Sequence, residues 1–426
     1  MLKKFKIWQC VFIISLILII IRFDLLLNTV LLIFYFIRLS FYDFGTAYNQ
    51  LSFNLLDAVV SLTAIAVPIA VFIKRNKIKL LGRNLDFTSL ILIMLGFFFV
   101  YAPLVGEYNP DFQKNLSVTK LLGPFSSKKV LHLKQAPLLE NPVTGYLNVK
   151  NRVIKKSYNE NIILADSIIV NNKIIYYQDG IKYILDKSRV ETENGAPVIS
   201  TNYYLFGTDE LGRDIFTRLI YGARVSLFVG LGSVIVSFIL GLGMGFIAGY
   251  SGGFINSFFN RISEMFLVFP VLFLIILILA LFGNSIISII VILGFSGWMS
   301  LFKIVRGEVL SIKEKDFFIT ARLIGLTHKD LLFKEVLPVI LAPVVVNLVF
   351  QYGNVILAEA ALSFLGIGTG GVYPSWGAMI EAGQNYLSQA WWMIFFPGLF
   401  LSVTLYTANN LGKKLQVYFN PRLDYD

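Results

Sequence analysis

The stretch Asp316-FFITARLIGLTHKDLLFKEVL-Pro338 is rich in charge, yet it lies between two runs apolar enough to cross a bilayer. A chain that leaves lipid here and re-enters after Pro338 is a bundle of spans joined by loops, so this segment decides the fold class. Phe317–Ile324 is made of helix formers, with Thr320 and Ala321 as small residues on one side and Arg322 beside them. Gly325 can take the left-handed conformation that ends a helix without a Cβ penalty. Thr327 stands three residues before Asp330, a capping-box-like start for a second helix whose apolar surface is Leu331, Leu332 and Phe333. Pro338 suits the first turn of the next span. The reading is two short helices hinged at one glycine and offered to a partner outside the membrane.

Working outward, composition agrees with a membrane chain. Of 426 residues, 56% are hydrophobic and only 15% charged, with mean hydropathy +0.71. This is outside the range of ordinary soluble domains. The net charge of +11 sits in short Lys/Arg segments that flank apolar runs, so it requires no nucleic-acid partner. The single Cys10 excludes an intrachain disulfide, and His132 and His328 are too few for a histidine metal cluster; no metal site is expected. The sequence holds no P-loop, no HExxH and no GxSxG, which argues against ATP hydrolysis or other catalysis by this chain.

Apolar runs of about 20 residues predict about eight spans. The first starts at Ile7 and reaches Ile37, interrupted by Arg22 and Asp24; one long tilted helix is favoured over two half-spans or a cleaved signal peptide. Further spans are expected over Leu55–Ile73, Phe87–Leu104, Ser226–Ala248, Phe266–Phe282, Ile286–Phe302, Val339–Phe364 and Trp391–Leu411. Lys74, Arg75, Lys77, Lys79 and Arg83 mark one cytoplasmic loop, and Lys303, Arg306, Lys313, Lys315, Arg322, Lys329 and Lys334 mark another, which contains the hinge. Lys413, Lys414 and Arg422 place the C-terminus on that side, and an even number of crossings places the N-terminus there too. Residues 107–206 then lie outside the cytoplasm. Their alternating pattern, as in IILADSIIVNNKIIYYQDGIKYIL, predicts a β-rich module with a strong hairpin at Asp179-Gly180 and a weaker one at Asn171-Asn172. It either packs as a meander on the membrane domain or docks a partner.

Within the spans, Asn347, Gln351 and Asn354 recur on one helical face, a polar stripe that either lines a translocation path or bonds to neighbouring helices. Glu359 falls on another face, where pairing or interface exposure is expected. Gly241, Gly243, Gly245 and Gly249 predict close helix packing.

Three ordered motifs carry a resemblance. The hinge is similar to the cytoplasmic coupling loop of ABC importer permeases at Ala321, Gly325, Leu337 and Pro338; Ile319, Thr320 and Glu335 depart from its Glu-Ala-Ala…Gly…Ile-x-Leu-Pro pattern. Gly207, Thr208, Asp209, Gly212, Arg213 and Asp214 match an outer-face motif, and Ser363, Phe364, Leu365, Gly366, Gly368, Ser375, Trp376 and Gly377 match a second. Together they resemble the C-type permease subunit of dipeptide and oligopeptide ABC importers, over the segment 206–422 and weakly over 87–104. The resemblance implies an all-α polytopic membrane protein, with 87–106 the first span of a six-span type I core and 207–426 the rest of the core with coupling loop 303–338; residues 1–86, an N-terminal extension with two extra spans, and 107–206, the β-rich insert, lie outside the typical pattern. It implies a second homologous permease, two cytoplasmic ATPases that bind ATP and Mg, and an extracytoplasmic solute-binding protein. This chain itself would hold no cofactor. Thr320, Ala321, Arg322, Gly325, Leu337 and Pro338 would couple to the ATPases, and the outer motifs would supply turns, caps and an interfacial Trp376 anchor. Nickel or another small solute is the rival cargo, and a secondary transporter or scaffold the rival class.

Overall fold

The computed structural model describes residues 5–23, 55–75, 82–106, 109–134, 161–193, 195–268, 270–283, 285–368 and 374–420, with isolated positions between 26 and 41 and residue 77. For 55–62, 271–272 and 328 only the backbone is described. Two compact units emerge, Met1–Arg224 with Ala382–Phe396, and Val225–Glu381 with Pro397–Asp426.

Among the described residues, five helices are long and apolar enough to cross a membrane: Phe87–Val105, Ile215–Ser251, Ile286–Lys313, Leu331–Phe364 and Trp392–Phe419. The pair Gly253–Val268 and Phe273–Phe282, bent by 94°, has the length and composition of a sixth candidate, as one broken span or a re-entrant loop. The uniform span expected over Phe266–Phe282 is therefore broken, next to Pro270, whose ring removes a backbone donor where a straight helix would need one. Two shorter apolar helices, Ile7–Ile21 and Thr63–Lys74, fall where the extra N-terminal spans were expected. The first helix ends at Ile21, and Arg22 leaves helical geometry. Its guanidinium donates to Leu104 O at 2.9 Å and Val105 O at 3.2 Å, the unsatisfied carbonyl end of helix Phe87–Val105. A charge inside the apolar run is thus a helix-end ligand. The single-crossing reading of 7–37 otherwise lies largely outside the described residues.

The helix expected from Ser226 begins at Ile215, eleven residues earlier by sequence number. The stretch from Ile215 to Val225, with Arg218 and Arg224, belongs to that same helix. Asp214 caps it, its Oδ2 accepting from Thr217 N at 2.8 Å and Thr217 Oγ1 at 2.6 Å, so the helix can start in polar surroundings and run on unbroken.

The insert is β-rich as the alternation predicts. Strand β1 (Ser126–His132) is the centre of a sheet ordered β2-β1-β8, with β2 at Ile162–Ala165 and β8 at Ile199–Tyr204. Strands β3 (Ser167–Val170), β4 (Ile174–Gln178) and β5 (Ile181–Leu185) form a second antiparallel meander, and β6 (Thr192–Glu193) pairs with β7 (Ala196–Pro197). Asp179 and Gly180 have φ of 49° and 76°, the two positive values a type I′ turn demands. Leu131, Ile174 and Val190 are fully buried at the junction of the strands.

Candidate functional site

The hinge is built as its sequence suggests up to Gly325. Helix Asp316–Leu323 ends in a Schellman motif: Gly325 has φ of 86°, Gly325 N–H donates to Arg322 O, and Leu326 N–H to Ala321 O. Thr327 Oγ1 accepts from Asp330 N at 3.2 Å and bonds Asp330 Oδ2 at 2.6 Å, and Lys334 Nζ lies 2.7 Å from Asp330 Oδ1. The Lys334 and Thr327 hydrogen bonds hold the Asp330 carboxyl below its ordinary range. After Asp330 the structure departs from a free-standing second helix. Leu331–Val336 is a π-helical turn that runs directly into Leu337–Phe364, with Leu337 N–H reaching back five residues to Leu332 O. Pro338 explains the widening, since a proline ring clashes with the carbonyl four residues before it in a regular helix. From Leu331 onward, hinge and span are continuous.

The faces of the hinge divide sharply. Phe318 and Ala321 are buried with Val305, Val309, Ile312, Leu331, Val336, Ile340 and Val344. Thr320, Arg322 and Gly325 are exposed, as is Pro338, while Leu337 is half-buried. Leu323 and Ile324, 82% and 77% exposed, leave an apolar tip with no cover, extended by Ile319 and Phe333. Ala321 therefore faces inward to the spans, and the outward surface is apolar where the resembling motif would carry a Glu.

Four contacts tie span Ile286–Lys313, which leads into the hinge, to span Ile215–Ser251. A Cβ on Gly241, Gly245 or Gly249 would come within 2.8 Å of Leu301, Val305 or Val309 side chains, so these glycines permit close approach to span Ile286–Lys313. Gly243 has open space and takes no part in that seam. Lys313 Nζ donates to Tyr250 O at 2.8 Å, at the carboxyl end of the same helix, where a cation is favoured.

The polar stripe is divided. Gln351 Nε2 donates to Ser237 Oγ, and Gly297 stands against that amide, so close that a Cβ would overlap it. Asn347 Oδ1 and Gln351 Oε1 are buried with no partner among the described residues, and Asn354 is exposed. Gln351 is thus an interhelical ligand with an acceptor left over.

Glu359 was expected to be paired or exposed at an interface. It is fully buried. Ser226 Oγ lies 3.1 Å from its Oε2 and Ser363 Oγ 2.8 Å from its Oε1. Helix Leu337–Phe364 ends at a second Schellman motif, with Gly366 at φ of 75°. Gly368 and Gly377 then press on Ser363, where added Cβ atoms would lie 2.0 Å from its Oγ and 2.7 Å from its Cβ. Trp376 is fully buried, its ring 6.1 Å from that of Phe400, and it is no interfacial anchor. The signal for this seat was present as Glu359 and Ser363 one helical turn apart.

The first motif is a fold clasp. Gly207 and Gly212, both at positive φ, lie where a Cβ would strike Leu122 O at 2.4 Å and Thr119 Oγ1 at 2.2 Å. Thr208 bonds Thr119 O and Leu122 N, and its carbonyl accepts from Trp392 Nε1 at 3.1 Å. Asp209 accepts from Leu211 N, Arg213 N and Arg213 Nε at 2.7–2.9 Å, while Arg218 lies 3.0 Å from Asp111. Burial, with Asp209 adding to it, pushes the neighbouring Glu210 carboxyl up.

Among the described residues, five long apolar helices, with a polar hinge between two of them along the chain, define a polytopic membrane protein. Residues 241–425 match the binding-protein-dependent transport system inner membrane component family. The chain is 40% identical over 233 residues to the dipeptide transport system permease protein of Bacillus subtilis, covering 54% of this chain and 72% of that one. It is 36% identical over 229 residues to the oligopeptide transport system permease protein of Haemophilus influenzae, with 54% and 73% covered. The chain belongs to this family of inner-membrane permeases. The MetNI methionine ABC transporter in inward facing conformations aligns with 48% of this chain and 96% of its own, at 16% identity and a TM-score of 0.41.

Proposed function

We propose that this chain is the membrane-spanning subunit of an ATP-binding-cassette importer that carries dipeptides or oligopeptides across the cytoplasmic membrane by alternating access. The cargo class rests on the two relatives, whose names are those of dipeptide and oligopeptide systems. The working assembly pairs it with a second permease, two cytoplasmic ATPases that bind ATP and Mg, and an extracytoplasmic solute-binding protein. Both termini and the hinge face the cytoplasm, and the insert faces outward, as the Lys/Arg segments favour.

The observation that carries the reading is the hinge: an uncovered apolar tip at Leu323 and Ile324 on a helix whose opposite face, Phe318 and Ala321, is locked into the spans. An ATPase groove that took the tip would move helix Asp316–Leu323 as its pair closed. Close-packed side chains transmit such a shift rather than absorb it. The buried cluster passes it to spans Ile286–Lys313 and Leu337–Phe364, and the glycine seam and Lys313 pass it to Ile215–Ser251. The three spans then tilt as a body, a two-state element biased by differential contacts. Asn347 and Gln351, with free amide oxygens, and exposed Asn354 are the path candidates for peptide N–H groups.

The test is co-purification with ATPase subunits, followed by ATP-dependent uptake of a peptide panel into proteoliposomes. Peptide uptake that needs both ATPase and binding protein is expected. Failure to recover any ATPase would overturn the assignment, and uptake of nickel without peptides would overturn the cargo.

A further inference from the structure

The seat of Glu359 is a second device in the same bundle. A carboxylate withdrawn from water without a cation costs several kcal/mol, which is why buried acids are paired or hold their proton. Glu359 is fully buried, and among the described residues no Lys, Arg or His nitrogen lies within ion-pair distance of it. What surrounds it is hydroxyl. Ser226 comes from span Ile215–Ser251 and Ser363 from its own span, and Ser375 Oγ lies 3.3 Å from Ser363 Oγ. Trp376 N–H donates to Ser226 Oγ at 3.3 Å and Ala378 N–H to Ser375 Oγ at 3.2 Å, so the start of helix Trp376–Gln384 hangs on the same cluster. Serine hydroxyls both donate and accept, so they can satisfy a neutral acid, which needs one acceptor for its own O–H. Gly368 and Gly377 leave room for nothing larger around Ser363.

We propose that Glu359 is a positioning residue that holds its proton and, as a neutral acid among Ser226, Ser363 and Ser375, clasps helix Trp376–Gln384 to two spans, forming the joint of the outer gate. Calling this end of the bundle outer rests on the orientation proposed above. The clasp joins three separate segments through uncharged hydrogen bonds of 2.8–3.3 Å, so it can part and re-form without exposing an ion to lipid. That is the requirement for a gate joint that cycles with transport.

The experiment compares wild type, Glu359→Gln and Glu359→Ala in the complete complex in proteoliposomes. Peptide uptake and ATP hydrolysis are measured side by side, and infrared spectra of the protein are recorded for the carbonyl stretch of a protonated carboxyl. Gln, neutral and able to donate and accept, is expected to keep uptake within about twofold of wild type. Ala is expected to raise the ATP consumed per peptide by about tenfold with ATPase association retained, the loss of roughly one or two buried hydrogen bonds. A protonated-carboxyl band lost in Glu359→Gln is also expected. Uptake in Gln as poor as in Ala, or no band difference, would overturn the neutral acid. An unchanged ATP-to-peptide ratio in Ala would overturn the gate role. If Ala fails to assemble, Ser226→Ala, which removes one clasp hydroxyl and the Trp376 tie, replaces it under the same criterion. If the wild-type complex carries no peptide, the transport reading fails while the infrared comparison still judges the proton.

Discussion

At the residue scale the glycines of span Ile215–Ser251 separate two effects that sequence cannot. Alanine for glycine in a helix gains up to about 1 kcal/mol of propensity wherever the methyl has room. Gly243 has nothing within 4 Å, so Gly243→Ala is expected to raise thermal stability in detergent slightly and leave transport intact. A Cβ added at Gly245 would lie 2.8 Å from Val305 Cβ and 2.9 Å from Phe302 O, neither of which can swing away. Overpacking there costs about 1–3 kcal/mol, enough to outweigh the propensity gain, so Gly245→Ala should melt earlier. Equal melting of the two variants would remove the seam. The spacing of these glycines was legible as packing, but which of the four touch a partner depends on helix rotation, which the sequence leaves open. The partners of Glu359 were illegible for a related reason: its isolation along the chain gave no hint that Ser226 and Ser375, distant in sequence, converge on it.

At the element scale the hinge and the insert make opposite demands on the backbone. Gly325 needs φ of 86°, which proline, fixed near −65°, cannot supply. Gly325→Pro should therefore unseat the apolar tip, abolishing ATP-driven uptake while membrane insertion persists; normal uptake would make the loop a mere connector. Thr327→Val loses the hydroxyl that caps Asp330 and should weaken the turn by about 1 kcal/mol, reducing rather than abolishing coupling. The caps were readable because they are local. The π-helical turn was not, because it arises from Pro338 meeting a helix already committed upstream. In the insert, burial alone would raise the Asp166 carboxyl, but Lys128 at 2.5 Å and the Asp179 N–H outweigh it and hold it below its ordinary value. A depressed carboxyl stabilises the fold above its unfolded value and loses that contribution as pH falls through the folded one. Hydrogen-exchange protection of β2–β5, corrected for intrinsic rates, should thus fall as pH drops below the ordinary carboxylate range, and Asp166→Asn should lack that step. The same step in both would clear Asp166 of the role.

At the scale of the whole molecule the open quantity is the parity of crossings. The core and its polar hinge were legible because about 20 apolar residues per span and flanking Lys/Arg are strong, additive signals. The N-terminal extension is less so: helix Ile7–Ile21, at 15 residues, is about 22 Å long, short of the roughly 30 Å of hydrocarbon. Helix Leu55–Lys74, at 20 residues, is long enough. If the segment from Ile7 crosses once and Leu55–Lys74 once, the N-terminus lies on the same side as Gly325 and opposite Gly180. Cys10 is the chain's sole cysteine, so Cys10→Ser gives a clean background for single-cysteine labelling. In intact cells a membrane-impermeant maleimide should label Gly180→Cys at the hairpin tip, and should reach Lys6→Cys and Leu323→Cys only after permeabilisation. Lys6 and Leu323 are both exposed, so burial does not confuse the readout. Labelling of Lys6→Cys from outside, with Leu323→Cys still protected, would mean an odd number of crossings between them and leave Ile7–Ile21 unable to span. Labelling of Leu323→Cys from outside would invert the bundle and remove the hinge from the side where ATP is found.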